Sequence, residues 1–339
     1  MTIGARVIKT GLAVALAIYL SGIFGFASPI IAAVAAIFTI QPTVYRSWQQ
    51  VLDQVQSNVL GAVVAILAVR LLGSTPISIA IVVIVVILIN IRLRMENAIG
   101  LTLVTVVAVM DAHTEGWAFA LERFSMVMTG MGCAFVVNVL LFPPRPKHQF
   151  TEQVHAAYES LSLLLRTAIS NEMKEQVHRE EKEKLHDTLR KLDERYKLFE
   201  EERVLRMKHK QERARQLLVS KQMIKALQKG ADLLDVVQEH YWSAPGADAW
   251  ARRFDRQIEE LTKYHEYILL KSEGKTKPGV QMEPEQESED RFTDELASYL
   301  SDEPGERKRL VFVASSLFEY AYHLKRLDKL LDQVHERQV

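Results

Sequence analysis

Residues 35 to 54, AAIFTIQPTVYRSWQQVLDQ, decide how this chain is read. An apolar run of about a dozen residues ends at Gln41-Pro42-Thr43, and a string of polar side chains follows. A hydrocarbon core of ~30 Å takes roughly 20 apolar residues to cross as a helix, so this run is short for a span. Proline has no N–H to donate and disfavours helix in the residue before it. Backbone groups freed by such a break are tolerated at membrane depth only beside protein or water. Two readings stay open. Either the helix stops against a polar cavity, or Gln41-Pro42-Thr43 is the cytoplasmic end of an under-length helix.

The 339 residues are 48% hydrophobic and 25% charged, with no net charge. That average hides two halves: 14 of the 84 charged residues lie between Met1 and Lys147, nine basic and five acidic, and the other 70 follow. The first half reads as a membrane block and the second as a charged helical protein. The single cysteine, Cys133, sits in an apolar stretch, which excludes a disulfide framework and a cysteine metal cluster. The first apolar run, after Arg6 and Lys9, lacks a convincing cleavage site and reads as a retained span. The chain has no phosphate-binding GxxxxGK[ST] loop, no dinucleotide glycine fingerprint and no HExxH, so an enzyme is not expected and no cofactor or metal is assigned.

Six spans are expected, at 7–25, 29–40, 51–72, 76–91, 97–110 and 121–142, the second and fifth being short. Arg6, Lys9, Arg46, Arg92, Arg94, Arg145 and Lys147 then fall on one side, against Arg70 and Arg123 on the other. The positive-inside rule places both termini in the cytoplasm and the 111–120 loop outside. An offset of 69 residues carries Leu52-Asp53 onto Leu121-Glu122, Gly61 onto Gly130, Ala65 onto Ala134 and Leu71-Leu72 onto Leu140-Leu141. It also carries the short second span onto the short fifth. Three spans per copy invert the second copy relative to the first. Such 3+3 inverted repeats with paired short helices are a recurrent transporter plan, and the short pair points at the substrate site.

The runs QPTVYRSWQQVLDQVQSNVLGAVVA (41–65) and ERFSMVMTGMGCAFVVNVLLFPPRP (122–146) resemble the aromatic acid exporter family, within the fusaric-acid-resistance-like superfamily. The likeness is to the Firmicute branch, with one six-span block and a helical cytoplasmic domain. It implies efflux of aromatic carboxylic acids. Larger relatives carry the unit twice, so a homo-oligomer is implied here. Relatives often carry a basic residue shortly before the glycines of the third span, where this chain reads Gln54-Val55-Gln56.

Candidate residues for a substrate path are Gln41, Pro42, Thr43, Arg46, Asp53, Asn58, Glu122 and Asn138. Asp53 and Glu122 are carboxylates at helix ends; a carboxylate at the centre of a span costs roughly 2.5–3.5 kcal/mol and then needs a partner or a role. Arg46 lies seven residues before Asp53 and is either a topogenic cation or a contact for that acid or for an anion. Asn58 and Asn138 are expected to hydrogen-bond between helices. Gly61, Ala65, Gly130 and Ala134 are expected to let helices approach closely. Asp111, His113 and Glu115 read as a solvated loop rather than a metal site.

After Pro146 the chain is expected to form an antiparallel cytoplasmic bundle over 149–339, with helices near 182–242, 247–271 and 307–339 and a flexible linker at about 273–290. The basic run LRMKHKQERAR (205–215) follows acidic residues and reads as a solvated face, so no nucleic acid is expected. The whole sequence thus reads as an all-α, multi-pass protein of the bacterial inner membrane. Its partners are lipid and a small organic anion, and its role is secondary export. The alternatives are a non-transporting membrane anchor or regulator, or an anion channel.

Overall fold

The computed structural model describes residues 3–93, 95, 99–112, 116–141, 146–170, 173–201, 208–244, 246–277, 282, 286–302 and 308–335. It falls into two compact units, Met1–Arg145 and Pro146–Val339. Among the described residues the regular structure is helical throughout.

The first unit contains α1 (Ile3–Ile23), α2 (Pro29–Thr39), α3 (Val44–Leu72), α4 (Pro76–Arg92), α5 (Ile99–Asp111) and α6 (Gly116–Val136), which runs into a π-helical turn, Val137–Leu141. Among the described residues three segments are long and apolar enough to cross a membrane: Arg6–Ile23, Val44–Leu72 and Trp117–Leu141. The apolar helices α2, α4 and α5 are shorter. Pro29 and Pro76 stand in the first turns of α2 and α4, where the missing N–H would have no intrahelical acceptor.

The largest boundary differences from the sequence expectation are at the starts of α3 and α6. The third helix starts at Val44 rather than 51, because the Thr43 hydroxyl accepts the Arg46 N–H and nucleates the helix ahead of the polar string. Residues 45–50 are therefore its first turns, not a connection. The sixth helix starts at Gly116 rather than 121, so much of the expected 111–120 loop is helical; His113 and Glu115 lie outside the described residues.

The helices sort into two packed groups. Ala13 and Ala17 of α1 meet Ala32 and Ala36 of α2 and Cys133, Ala134 and Val137 at the end of α6. Ala65 and Ala68 of α3 meet Val82 and Val86 of α4 and Val106, Val109 and Met110 of α5. The third helix of each three-helix half thus packs with the first two of the other half. Glycine makes both approaches possible. A Cβ on Gly61 would lie 3.0 Å from the Thr102 carbonyl oxygen, and one on Gly130 would overlap the Ala32 carbonyl oxygen and lie 2.8 Å from its carbon.

Helix α3 is inside-out by the standards of a water-soluble protein. Its buried face is Ser47, Gln54, Ser57, Asn58, Gly61, Ala65 and Ala68, while Trp48, Leu52, Val59, Val63 and Leu67 are exposed. Apolar surface turned outward and polar surface turned inward is the arrangement a lipid solvent favours.

The second unit contains α7 (Pro146–Ala168), α8 (Glu175–Glu201), α9 (Lys208–Val236), a π turn (Val237–Tyr241), a 3-10 turn (Ala247–Trp250), α10 (Ala251–Ser272), α11 (Gln286–Asp302) and α12 (Lys308–His335) around one apolar core. The linker expected at 273–290 is partly replaced by structure. Residues 286–290 open α11, whose Phe292 and Leu296 enter the core beside Trp250 and Phe254. Residues 278–281 and 283–285 lie outside the described residues. The single helical stretch expected over 182–242 is two helices, α8 and α9.

Candidate functional site

The end of α2 is tied into a buried polar cluster. The Thr39 hydroxyl donates back to the Ala35 carbonyl at 2.8 Å, and Ile40 turns extended as the helix ends. Gln41, held out of the helix by Pro42, donates its backbone N–H to Ser47 Oγ at 3.2 Å and accepts from Asn138 Nδ2 at 3.2 Å on its carbonyl. The freed backbone groups are therefore filled by side chains of α3 and of the π turn after α6. Asn138 Nδ2 also reaches Ser47 Oγ at 2.8 Å, and its Oδ1 accepts from Lys9 Nζ of α1 at 3.1 Å. π turns inside α-helices recur at functional sites; this one carries Asn138.

Lys9 is the unexpected member. Its side chain is 4% exposed, one turn inside a segment apolar enough to span. Among the described residues its ammonium has a single neutral acceptor and no carboxylate. An ammonium has three donors, so this one retains capacity for an anion. The Gln54 amide lies one helical stretch further along α3 and donates to Thr39 Oγ1 at 3.3 Å. Beyond it, Asn58 donates to the Gln54 carbonyl at 2.7 Å and accepts from Thr105 Oγ1 of α5 at 2.8 Å. A run of neutral amides and hydroxyls thus lines the buried face of α3 between the two helix groups.

Of the residues singled out by sequence, Gln41, Thr43 and Asn138 gather at this cluster, and Asn58 continues it. Pro42 is half-buried at the break. Arg46 is half-buried in the first turn of α3. Asp53 is half-buried beside the polar face, with Ser57 Oγ donating to its backbone carbonyl. Glu122 lies apart. It accepts the Ala27 N–H at 3.1 Å and fastens the α1–α2 connection, sixteen residues before Asn138 in the chain, or about 24 Å along a helix. Sequence reasoning missed Lys9, Ser47 and Gln54. The spacing of Ser47, Gln54, Ser57, Asn58 and Gly61 on one helical face held the signal for the last two. By sequence, Lys9 is a flanking topogenic charge.

The second unit has a polar opening of its own. A cavity of about 430 Å³ is bounded by Lys147, Phe150, His155, Phe199, Met223 and Glu273 among others. His155 Nε2 and Glu273 Oε1 are 2.6 Å apart, and Lys275 Nζ is 2.6 Å from Glu273 Oε2. The Lys275 ammonium, helped by His155, holds the Glu273 carboxyl below the ordinary carboxylate range.

An inside-out helix block with a buried cation and a hydrogen-bonding seam is the architecture of an integral membrane protein, and comparison with known proteins names its kind. A sequence profile described as "Aromatic acid exporter family member 1" matches residues 1–141. The UPF0421 protein YgaE of Bacillus subtilis (strain 168) is 32% identical over 282 residues, 82% of this chain and 79% of the relative. A UPF0421 protein of Oceanobacillus iheyensis is 30% identical over 47% of this chain and 46% of its own length, and one of Halalkalibacterium halodurans is 31% identical over 42% and 40%. The chain belongs to the UPF0421 family, and its first 141 residues match the aromatic acid exporter profile. Its likeness to YgaE is longer than the profile match, so it includes part of the second unit as well as the membrane block.

Proposed function

We propose that this protein is a secondary exporter of aromatic or other amphipathic organic acids in a bacterial cell membrane. Six helices cross the bilayer, both termini are cytoplasmic, and the substrate moves along the polar face of α3 between two inverted three-helix halves. The exchange of α3 and α6 between the two packed groups supports the repeat. The resemblance supports a homo-oligomer.

One observation carries the reading: the buried Lys9 ammonium has no carboxylate partner among the described residues. A cation in a span costs roughly 2.5–3.5 kcal/mol. A passing organic anion supplies the missing counter-charge, and Asn138 and Ser47 supply neutral groups beside it. Gln41, Thr43, Arg46, Asn58 and Asn138 are proposed as path residues, with Asp53, the half-buried acid of α3, as the group that carries a coupling proton. Glu122 is proposed as a tether for the α1–α2 connection.

Everted membrane vesicles from cells expressing the chain should accumulate labelled benzoate when a pH gradient is imposed, and vesicles from cells lacking it should not. Accumulation abolished by an uncoupler marks an exporter; flux that only equilibrates marks an anion channel. Absence of chain-dependent flux for a panel of aromatic acids would remove the exporter reading and leave the anchor or regulator. The 430 Å³ cavity of the second unit favours regulation in either case, since it offers that unit a place for a small effector.

A further inference from the structure

The membrane block contains a second cation with unfilled donors, far along α6 from the cluster around Lys9. Arg123 lies fifteen residues before Asn138, about 22 Å along the helix axis. It borders a cavity of about 220 Å³ between α3, α5 and α6, with Asn58, Ala62, Thr105, Trp117 and Phe124 among its walls. Among the described residues the guanidinium reaches one protein acceptor, the Val104 carbonyl, at the long distance of 3.5 Å from Nη2. Its Nε is buried and has no hydrogen-bond partner among the described residues. A guanidinium has five donors in a fixed planar fork, and Nε with the neighbouring Nη matches the two oxygens of a carboxylate.

The other polar wall groups are engaged with protein. Asn58 is bonded to Gln54 and to Thr105. The rest of the lining is apolar or aromatic: Val59, Ala62 and Val63 on α3, and Trp117, Leu121 and Phe124 on α6. Of the lining residues, Trp117 and Leu121 are 68% and 65% exposed on the apolar surface of the block. A volume below the ~300 Å³ at which sites for drug-sized ligands begin suits a single ring. A neutral arene would leave the guanidinium unfilled, and a dicarboxylate would bring a second charge with no second cation on the wall.

We infer that this cavity is a binding site for a monocyclic aryl carboxylate, with Arg123 taking the carboxylate and Trp117, Phe124 and the aliphatic face of α3 taking the ring. The biological sense of the site rests on the exporter reading; its geometry does not. Lys9 and Arg123 then provide one cation toward each end of the block, with neutral amides and hydroxyls on the face of α3 between them. A lipid phosphate is the competing oxyanion.

The test uses the full-length chain purified in dodecyl maltoside and equilibrium dialysis with labelled benzoate. Saturable binding should weaken tenfold or more in Arg123→Gln and several-fold in Arg123→Lys, which keeps the charge but loses the fork. Trp117→Ala, at an exposed position, should weaken binding without changing elution on size exclusion. Arg70→Gln should bind as the wild type does. Wild-type affinity in Arg123→Gln, or no saturable benzoate binding by the wild type, would overturn the site. So would retention of phosphatidylglycerol through purification that Arg123→Gln abolishes, since the arginine would then hold a headgroup. Chain-dependent benzoate flux in vesicles with Arg123-independent binding leaves the exporter and removes this site. Arg123-dependent binding without flux leaves the site and removes the exporter.

Discussion

Replacing Lys9 with methionine separates a functional cation from a structural one. Two opposed terms set the stability change. Loss of the Lys9–Asn138 bond strands Asn138 Oδ1, at a cost of about 1–3 kcal/mol for an unsatisfied buried group. Removal of a charge from the span recovers roughly 2.5–3.5 kcal/mol on insertion scales. The net runs from about 2.5 kcal/mol stabilising to about 0.5 kcal/mol destabilising. Asn138→Leu has no such offset. It strands the Lys9 ammonium, the Gln41 carbonyl and one bond to Ser47 Oγ together, at about 1 kcal/mol per lost bond plus the desolvation of each orphan.

Thermal midpoints read by fluorescence-detected size exclusion should therefore fall clearly for Asn138→Leu and hardly for Lys9→Met. Vesicle flux, at matched abundance, should be lost in Lys9→Met and retained in part in Lys9→Arg, which keeps a charge on the cluster. Flux at the wild-type rate in Lys9→Met would refute the counter-charge argument. A midpoint as low as that of Asn138→Leu would make Lys9 a packing residue instead.

Gly130→Ala should prevent accumulation or lower the midpoint severely: its Cβ would run into the Ala32 carbonyl oxygen and lie 2.8 Å from the carbonyl carbon, so α6 must move off α2 by more than about 1 Å to restore ordinary contact. Gly61→Ala, which meets Thr105 Cβ at 3.1 Å, should cost only about 1 kcal/mol, and equal behaviour of the two would refute the close approach of α6 to α2. His265, fully buried with Nδ1 2.7 Å from Tyr320 Oη, is pushed by desolvation to about 3 from 6.5. It stays neutral while the unfolded chain protonates, so stability is full above pH 6.5 and falls below it, by about 1.4 kcal/mol per unit; hydrogen exchange of α10 in the full chain should show that slope, and His265→Gln should flatten it. Residues 146–339 alone should be monodisperse and strongly helical by circular dichroism, because their core is continuous within the unit; loss of the helical signal would refute that independence.

The all-helical class is legible because apolar run length and charge density are local properties, and they differ sharply across residue 147. The α2 break is legible for the same reason: proline acts on its own residue and the one before. Helix α11 is not, because a segment rich in Gln, Glu and Asp gains its place from two buried side chains, Phe292 and Leu296, the first of which meets Trp250 and Phe254 some forty residues earlier. The start of α3 was legible in principle. Thr43 is a good N-cap, but the polarity of residues 45–50 outweighed it.

Lys9 shows where sequence reading ends. The positive-inside rule explains a lysine near the start of a first span, and nothing within ten residues on either side contradicts that explanation. Its acceptor lies 129 residues away, on a π turn that no periodicity announces. The neighbouring face of α3 was closer to readable, since Ser47, Gln54, Asn58 and Gly61 recur at helical spacing. Periodicity alone, though, cannot say which face of an amphipathic helix is inside. In water the apolar face would be buried and these residues would be a solvated surface. Only with lipid as the solvent does the same pattern turn inward, and then a polar face and a lysine meet inside the block through Asn138.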